Sequence, residues 1–566
     1  MDIRKTILYV AVAVLGVVLL HAWQHDYPSA NNTETTQVSQ TQDPQHPAEF
    51  APGAYQSNAT HYEASPQKLS NSIPIDKNIT VTTNVLSATI NLVGGDLVDA
   101  KLLQYPVSLQ DKNTPVQILN SDENHLYLAQ SGLSAVSQSA QKNSARKIIF
   151  QSSQTTYNLK DDQNTLTVTL NGKTENNIAV QKIYIFKRSQ YAVSSAIYLK
   201  NNSNSEWRGS IYNQITHRYM PVKGYNSRAY NGAAVSTENT PYKKLSFESL
   251  SESDFSRDIV NGWVAMQQHY FLSAWIPAKN QNFHYYSRSF GNGDDGKGNI
   301  FILGYVSPII RLAPGESVNV QSTFYTGPEI ANNLQELGRG LDHTVDYGWL
   351  WPISKFLFWL LSEVDHYVGN WGWSIVLVTI MIKVAFYWFS NKSYISMAKM
   401  RDFQPRIQAL KERYGDDKPA MSKAMMELYR KEKMNPLGGC LPMIIQIPIF
   451  LALYYVLVES VELRQAPFVF WIHDLATKDP YFILPILMGF SMFVQQKISP
   501  PPPDPMQAKM MMLLPLVFTV FFATFPAGLV LYWLTNNCAS ILQQWFVMKM
   551  HEKRKKTEKT KKIAKR

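Results

Sequence analysis

The sequence predicts a membrane α-helical bundle of six transmembrane helices joined to a large all-β sandwich domain outside the cytoplasm. Three observations carry that expectation. Residues up to about Val345 are polar and rich in Asn, Ser, Gln and Thr, whereas apolar runs follow one another after Trp349. The mean hydropathy of -0.20 therefore averages two unlike halves. Within the polar half the residues alternate apolar and polar, and the Lys and Arg residues cluster between the later apolar runs.

The first apolar run is Thr6–Trp23, behind Arg4 and Lys5. It reads as a cleavable signal peptide or a retained anchor. Its exit, Leu-His-Ala-Trp-Gln-His at 20–25, lacks a small-x-small cleavage site, which favours the anchor. Residues 25–72 are Gln, Thr, Asn, Ser, Pro and Ala and bury too little apolar surface to fold, so they read as a flexible tether. From 73 to 340 the period becomes two. Ile79-Thr-Val-Thr, Thr165-Leu-Thr-Val-Thr-Leu and Ile183-Tyr-Ile-Phe are strand-like, with Gly94-Gly95 and Asn171-Gly172 as turn signals. Leu350–Val364 is aromatic and broken by Lys355, Ser362 and Glu363. It reads as an interfacial helix lying along the bilayer surface, with a core helix of the β domain as the alternative.

Five further spans are expected: Trp371–Ser390, Leu441–Val461, Tyr481–Ile498, Met510–Phe525 and Ala527–Met548. Pro526 leaves room only for a tight turn between the last two. Orientation follows from the short loops: 391–436 carries 11 Lys/Arg and 549–566 carries 10, against Arg464 and Lys478 alone in 462–480. Six spans with both termini in the cytoplasm satisfy every loop and put the β domain outside. The break at Gly415-Asp416-Asp417 predicts two helices in a cytoplasmic hairpin. Pro500–Pro503 form a stiff connection, and the basic end of the chain reads as disordered.

The net charge of +11 sits near the apolar runs, because residues 24–345 hold 25 Lys/Arg against 26 Asp/Glu. This fits membrane topology and contact with ribosomes or anionic lipids, and not a DNA-binding domain. The two cysteines, Cys440 and Cys538, both lie outside the β region, which excludes a disulfide framework there. No P-loop, HExxH or Gly-rich dinucleotide motif occurs, and neither an enzyme active site nor a cofactor is expected. Gly489-Phe490-Ser491 is too short a signal for an intramembrane serine protease.

Seven stretches stand out in order along the second half of the chain: Leu341-Asp-His-Thr-Val-Asp-Tyr-Gly-Trp349, Val368-Gly-Asn-Trp-Gly-Trp-Ser374, Asn435-Pro-Leu-Gly-Gly-Cys440 and Gln446-Ile-Pro-Ile-Phe-Leu-Ala-Leu-Tyr-Tyr455. Val461-Glu-Leu-Arg-Gln-Ala-Pro-Phe468, Trp471-Ile-His-Asp474 and Phe525-Pro-Ala-Gly-Leu-Val-Leu-Tyr532 follow. Together they resemble the YidC/Oxa1/Alb3 family of membrane protein insertases. The resemblance implies a five-helix core around a groove open to cytoplasm and lipid, in the inner membrane of a Gram-negative bacterium. It implies nascent membrane proteins as clients, and the Sec translocon with its accessory subunits and the ribosome as partners. On this reading the chain divides into an anchor (1–24), tether (25–72), periplasmic β domain (73–340), link and interfacial helix (341–370), core (371–550, with hairpin 391–436) and basic tail (551–566).

Lys383 is the residue of most interest. It lies 12 residues after Trp371 and seven before Ser390, inside an apolar run. A cation at mid-membrane costs about 2.5–3.5 kcal/mol. No acidic residue is expected within the spans to pair with it. It either snorkels to an interface or faces a hydrated groove, and its depth favours the groove. The family commonly carries arginine here, so the charge is kept and the bidentate geometry lost. Thr379 shares the face of Lys383. Gln446, Asn536, Asn537 and Ser540 offer further polar groups, as do Gln495, Thr519 and Thr524; interhelical hydrogen bonding is the alternative for each. By resemblance Tyr532 and Trp533 fall on the contact surface for an incoming helix, with tryptophan where the family often has a second tyrosine. Phe521, Pro448 and Pro442 match positions near the substrate path. Two rivals stand beside the insertase: an ion- or proton-coupled transporter, and a carbohydrate-active β domain using His217, His269 or His284.

Overall fold

The computed structural model describes residues 77–135, 147–220, 229–291, 298–415, 417–431, 441–499 and 505–563. The expected anchor, tether and Pro500–Pro503 connection lie outside these residues. The described residues all belong to one compact unit, residues 46–566.

The N-terminal part is a β-sandwich. Among the described residues its first sheet has eleven strands. Nine run edge to edge as Ser256–Val260, Asn282–Phe290, Ile300–Val306, Trp207–Arg218, Tyr127–Ala135, Asp96–Pro106, Leu86–Asn91, Asn78–Thr82 and Thr156–Asn158. The second has eight: Lys243–Leu245, Gly232–Val235, Val264–Gln268, Phe271–Pro277, Ser317–Pro328, Ala192–Asn201, Ile178–Lys187 and Thr165–Lys173. Alternation builds it, since every second residue from Ile178 to Phe186 is buried. Trp263 and Trp275 are fully enclosed between the sheets. The Trp275 indole donates to Gln214 O at 3.1 Å, so its polar edge is matched where its rings are dry. A short helix α1 (Phe247–Glu252) covers one end, and α2 (Ala331–Leu337) leads out of the last strand.

Gly94 and Gly95 make the expected turn, both in the left-handed region. Asn171-Gly172 does not turn; it lies inside the strand Thr165–Lys173. A Cβ on Gly172 would strike Ile148 and Phe150, so this glycine marks a close approach of chains. The reversal follows at 174–177, where Asn177 takes φ 61.

Helix α3 (Trp351–Val368) is the expected amphipathic element. It buries Ser354, Leu357 and Leu361 against the helical domain and exposes Trp351, Phe356 and Trp359 at 57% each. It packs on α4 (Trp371–Ala385) and α8 (Leu441–Glu459), not on the β core. The uninterrupted span expected over Trp371–Ser390 is broken at Phe386. There α4 ends and α5 (Tyr387–Asp402) leaves at 68°. Residues 384–389 are all exposed, so no packing holds the helix straight, and α5 instead buries Ser390, Ser393, Tyr394 and Ala398. The expected hairpin is α6 (Gln404–Tyr414) and α7 (Lys418–Lys431), closed by Gly415 at φ +48 and held by Ile407, Met425 and Tyr429.

Helix α8 carries Pro448 inside it and ends on Glu459, a carboxylate within the run expected to span. Helices α9 (Ile483–Ile498), α10 (Pro505–Phe522) and α11 (Ala527–Ile563) complete the domain. The tail expected to be disordered is instead the continuation of α11. It is rich in Lys, a good helix former, and is tied to α5 through Asp402, which meets His551 at 3.1 Å and Lys555 at 2.8 Å. The turn at Pro526 docks on the preceding loop, with Ala527 N donating to Thr477 O at 2.7 Å. Among the described residues no single helix is long and apolar enough to cross a membrane; the bent pair α4–α5 passes that test together.

Candidate functional site

Lys383 sits in the last turn of α4, half-buried, and its ammonium donates to Ser540 Oγ at 2.8 Å. Ser540 is 3% exposed and donates in turn to Asn536 O, one turn back on α11, at 2.7 Å. Among the described residues no carboxylate forms an ion pair with Lys383. An ammonium has three donors, and one hydroxyl is a poor counterweight for a full charge.

The other expected groove residues form separate contacts. Gln446 of α8 donates to the Tyr532 hydroxyl. Thr379 is 2% exposed and returns its hydroxyl to Ile375 O at 2.6 Å. Thr379 and Tyr532 face one small cavity walled by Leu357, Leu361, Ile449 and Leu453. Tyr532 and Ser540 are eight residues apart on α11, about 12 Å along its axis. The structure thus sets two polar stations on one helix: Gln446–Tyr532 and Lys383–Ser540. Asn537 belongs to neither. It faces α9 and donates to Ser491 Oγ at 3.0 Å, an interhelical hydrogen bond.

Trp533 packs edge-on to Phe450 at 4.8 Å between ring centres and lies 5.1 Å from Phe522. Phe521 is 54% exposed on the outer side of α10. Thr519 and Thr524 bond back to Pro515 O and Phe521 O of their own segment. Sequence reasoning missed Gln544 and Ser499, joined at 3.1 Å across α11 and α9. The signal was available: Gln544 is the next residue at helical spacing after Asn536, Asn537 and Ser540.

The sequence profile of the 60Kd inner membrane protein matches residues 363–555, and that of the YidC periplasmic domain matches 78–360. A membrane protein insertase YidC from Coxiella burnetii (strain RSA 493 / Nine Mile phase I) is 51% identical over 100% of both chains. One from Legionella pneumophila (strain Paris) is 45% identical, also over 100% of both. The chain belongs to the YidC family of membrane protein insertases. A crystal structure of an active YidC insertase with its first transmembrane domain resolved is 17% identical and covers 82% of this chain and 92% of that one, with a TM-score of 0.35.

As a YidC family member the chain is an inner-membrane protein with its β domain in the periplasm. The transporter alternative finds no support, because relatives matching the whole length are insertases. The histidines of the other rival do not converge. His217 is buried against Tyr127 and Phe247, and burial pushes its imidazole down to about 4. His269 stacks on Tyr270 and bonds to Val458 O at 2.9 Å, at the junction with α8. His284 bridges Ser256 (3.1 Å) and Asp258 (2.7 Å) across the edge pair of the first sheet. Among the described residues no group of three or more His, Cys, Asp or Glu is placed to hold a metal ion.

Proposed function

We propose that this YidC-family chain inserts its clients through a hydrated groove in which Lys383 is the working charge, with six spans and both termini in the cytoplasm. The observation that carries the reading is an ammonium inside an apolar segment, bonded to Ser540 and paired with no described carboxylate. Such a charge is costly in hydrocarbon and far cheaper beside water. The polar end of a nascent client enters the groove still hydrated, which lowers its desolvation cost. Lys383 attracts acidic residues of that segment transiently. The apolar segment next to it then partitions into lipid beside the spans, gaining roughly 25 cal/mol per Å² of apolar surface buried. No nucleotide and no enzyme active site take part.

The remaining features have places in this scheme. The α6–α7 hairpin receives the client. The basic end of α11 meets ribosomal RNA or anionic lipid through phosphate attraction. The Sec translocon is a partner for some clients and is dispensable for others. Trp533, with Phe521 and Pro448 nearby in the fold, meets the incoming helix, while Tyr532, 1% exposed and bonded to Gln446, backs that surface from within the core. The test is Lys383→Ala in an insertion assay. Clients with acidic translocated segments should insert roughly tenfold less well, a loss of about 1.4 kcal/mol, while clients lacking acidic residues change little. Unchanged insertion of the acidic clients would end the reading.

A further inference from the structure

The loop from α8 to α9 is held in a costly shape. Among the described residues eight that are not glycine take positive φ, and three of these, Gln465, Phe470 and Phe482, lie in this loop. A residue as bulky as phenylalanine enters the left-handed region only where its surroundings impose it. At Phe470 (φ 54) they do. Phe468 N donates to Ile472 O at 2.9 Å and Ile472 N to Val469 O at 3.2 Å, so Phe470 stands at the tip of a tight turn. The buried Asp479 fixes the next residue by accepting from the Trp471 indole at 3.0 Å. Glycine or asparagine would meet the same backbone demand without a bulky side chain. The tip instead carries a ring that is 84% exposed and stacks on Trp471 at 6.0 Å between centres.

Neighbouring elements fix the level of that ring. Arg464, earlier in the loop, donates to Pro106 O and Val107 O of the β domain, so the loop lies on the periplasmic side. Asn370, at the head of α4, donates to Pro467 O and Phe468 O, each at 3.3 Å, and Trp373 meets Phe468 edge-on at 5.3 Å. Asp479 also accepts from Leu484 N at 2.7 Å, in the first turn of α9. Phe470 is therefore level with the periplasmic ends of α4 and α9. Tyr367, Trp373 and Tyr481, all exposed, gather at the same ends. In water such a cluster is a liability. At a bilayer surface it is an anchor, because Tyr and Trp set an apolar ring below the headgroups and a polar atom among them.

We propose that the tip of this loop is seated in the periplasmic leaflet of the inner membrane, with Phe470 inserted where the headgroups meet the acyl chains. Phospholipid is the partner: it supplies the burial that the protein does not give this ring. Trp471 and Asp479 pass the anchorage on to the first turn of α9 and so set the depth at which that helix enters the bilayer. The inference rests on α4 and α9 being spans and is independent of the charge on Lys383.

The test uses the full chain in proteoliposomes doped with a phospholipid that carries a diazirine either near the glycerol or at the end of an acyl chain. Illumination is followed by mass spectrometry of the lipid adducts. The near-glycerol probe should mark Phe470 and Tyr481 roughly fivefold more than the chain-end probe does. The chain-end probe should mark Leu377, exposed in the middle of α4. Phe470→Asn suits the left-handed backbone and keeps the turn; it should cut adducts over 469–471 roughly fivefold and leave those on Leu377 unchanged. Adding a stalled client should change neither set. Adducts on Leu377 with none over 466–482 overturn the seat and leave the spans standing. No adducts at either place overturn the spans and the seat together. Unchanged adducts over 469–471 in Phe470→Asn overturn the seat, as do adducts there that vanish when the client is added, since the ring would then belong to a client surface.

Discussion

Lys182 and Lys383 have opposite surroundings. Lys182 is 1% exposed inside the β-sandwich, and its ammonium donates to Gly94 O at 2.6 Å, Ser131 O at 2.6 Å and Ser131 Oγ at 2.9 Å, with Asp96 at 3.9 Å. Every donor has a partner, which is how a structural cation is built. Lys383 has one described partner, the Ser540 hydroxyl, and is half-buried, as the transient contact proposed for it with a client requires. Lys182→Met should therefore act on stability and not on insertion. It leaves the Gly94 and Ser131 carbonyls without their donor, while Asp96 keeps Lys147 at 3.2 Å, at a cost of about 1–3 kcal/mol per buried carbonyl, read as a lower unfolding midpoint of the β domain. Lys383→Met should do the reverse, with unchanged unfolding and impaired insertion of acidic clients. Lys383 was legible from sequence because a charge in an apolar run needs no alignment to be noticed. Gln544 was marked in the sequence only by its helical spacing from Ser540; its contact with Ser499 depends on how α9 packs on α11. The pairing of Gln446 with Tyr532 was likewise out of reach, since it depends on where α8 crosses α11.

At the scale of elements, strands and hairpin were readable because alternation and a glycine break are local signals. The bend at Phe386 was not, because it follows from where α5 finds packing. The length of α11 was missed for a related reason: its basic tail has the composition of a disordered segment, but two of its side chains find Asp402. Burial alone would raise the Asp402 carboxyl, yet hydrogen bonds from Lys555 and His551 hold it below its ordinary range. A depressed carboxylate stabilises above its unfolded value of 3.8 and loses that contribution as pH falls through the folded value. The α5–α11 clamp should thus persist at about pH 5. Asp402→Asn should speed amide hydrogen exchange across 549–557 at that pH, while exchange in α8 stays as it was. Equal exchange in the variant would mean that the helical tail holds without the clamp.

At the scale of the whole molecule, the sandwich and the helical domain are joined by polar contacts around a small apolar plug. Val461 inserts into the β core. Arg464 donates to Pro106 O at 2.8 Å and Val107 O at 3.1 Å, and Gln465 to Pro106 O at 3.2 Å. Close to this joint Glu329 is 4% exposed and accepts a hydrogen bond from Gln267 at 2.8 Å. Burial drives its carboxyl well above the usual 4.5; the Gln267 bond opposes the rise, and the nearby Glu459 and Asp346 carboxylates add to it. The sign follows from linkage. The folded state holds this proton more tightly than the unfolded chain, so the contribution is fully present below 4.5 and is lost as pH rises through the raised folded value. At neutral pH Glu329 is therefore a liability to the joint. Glu329→Gln keeps the shape and a hydrogen-bonding head without the charge. It should raise the thermal midpoint of the β domain at neutral pH by about 2–4 °C and remove the decline that the parent shows between acidic and neutral pH. Parallel pH profiles for variant and parent would mean that the Glu329 carboxyl is not the group being titrated.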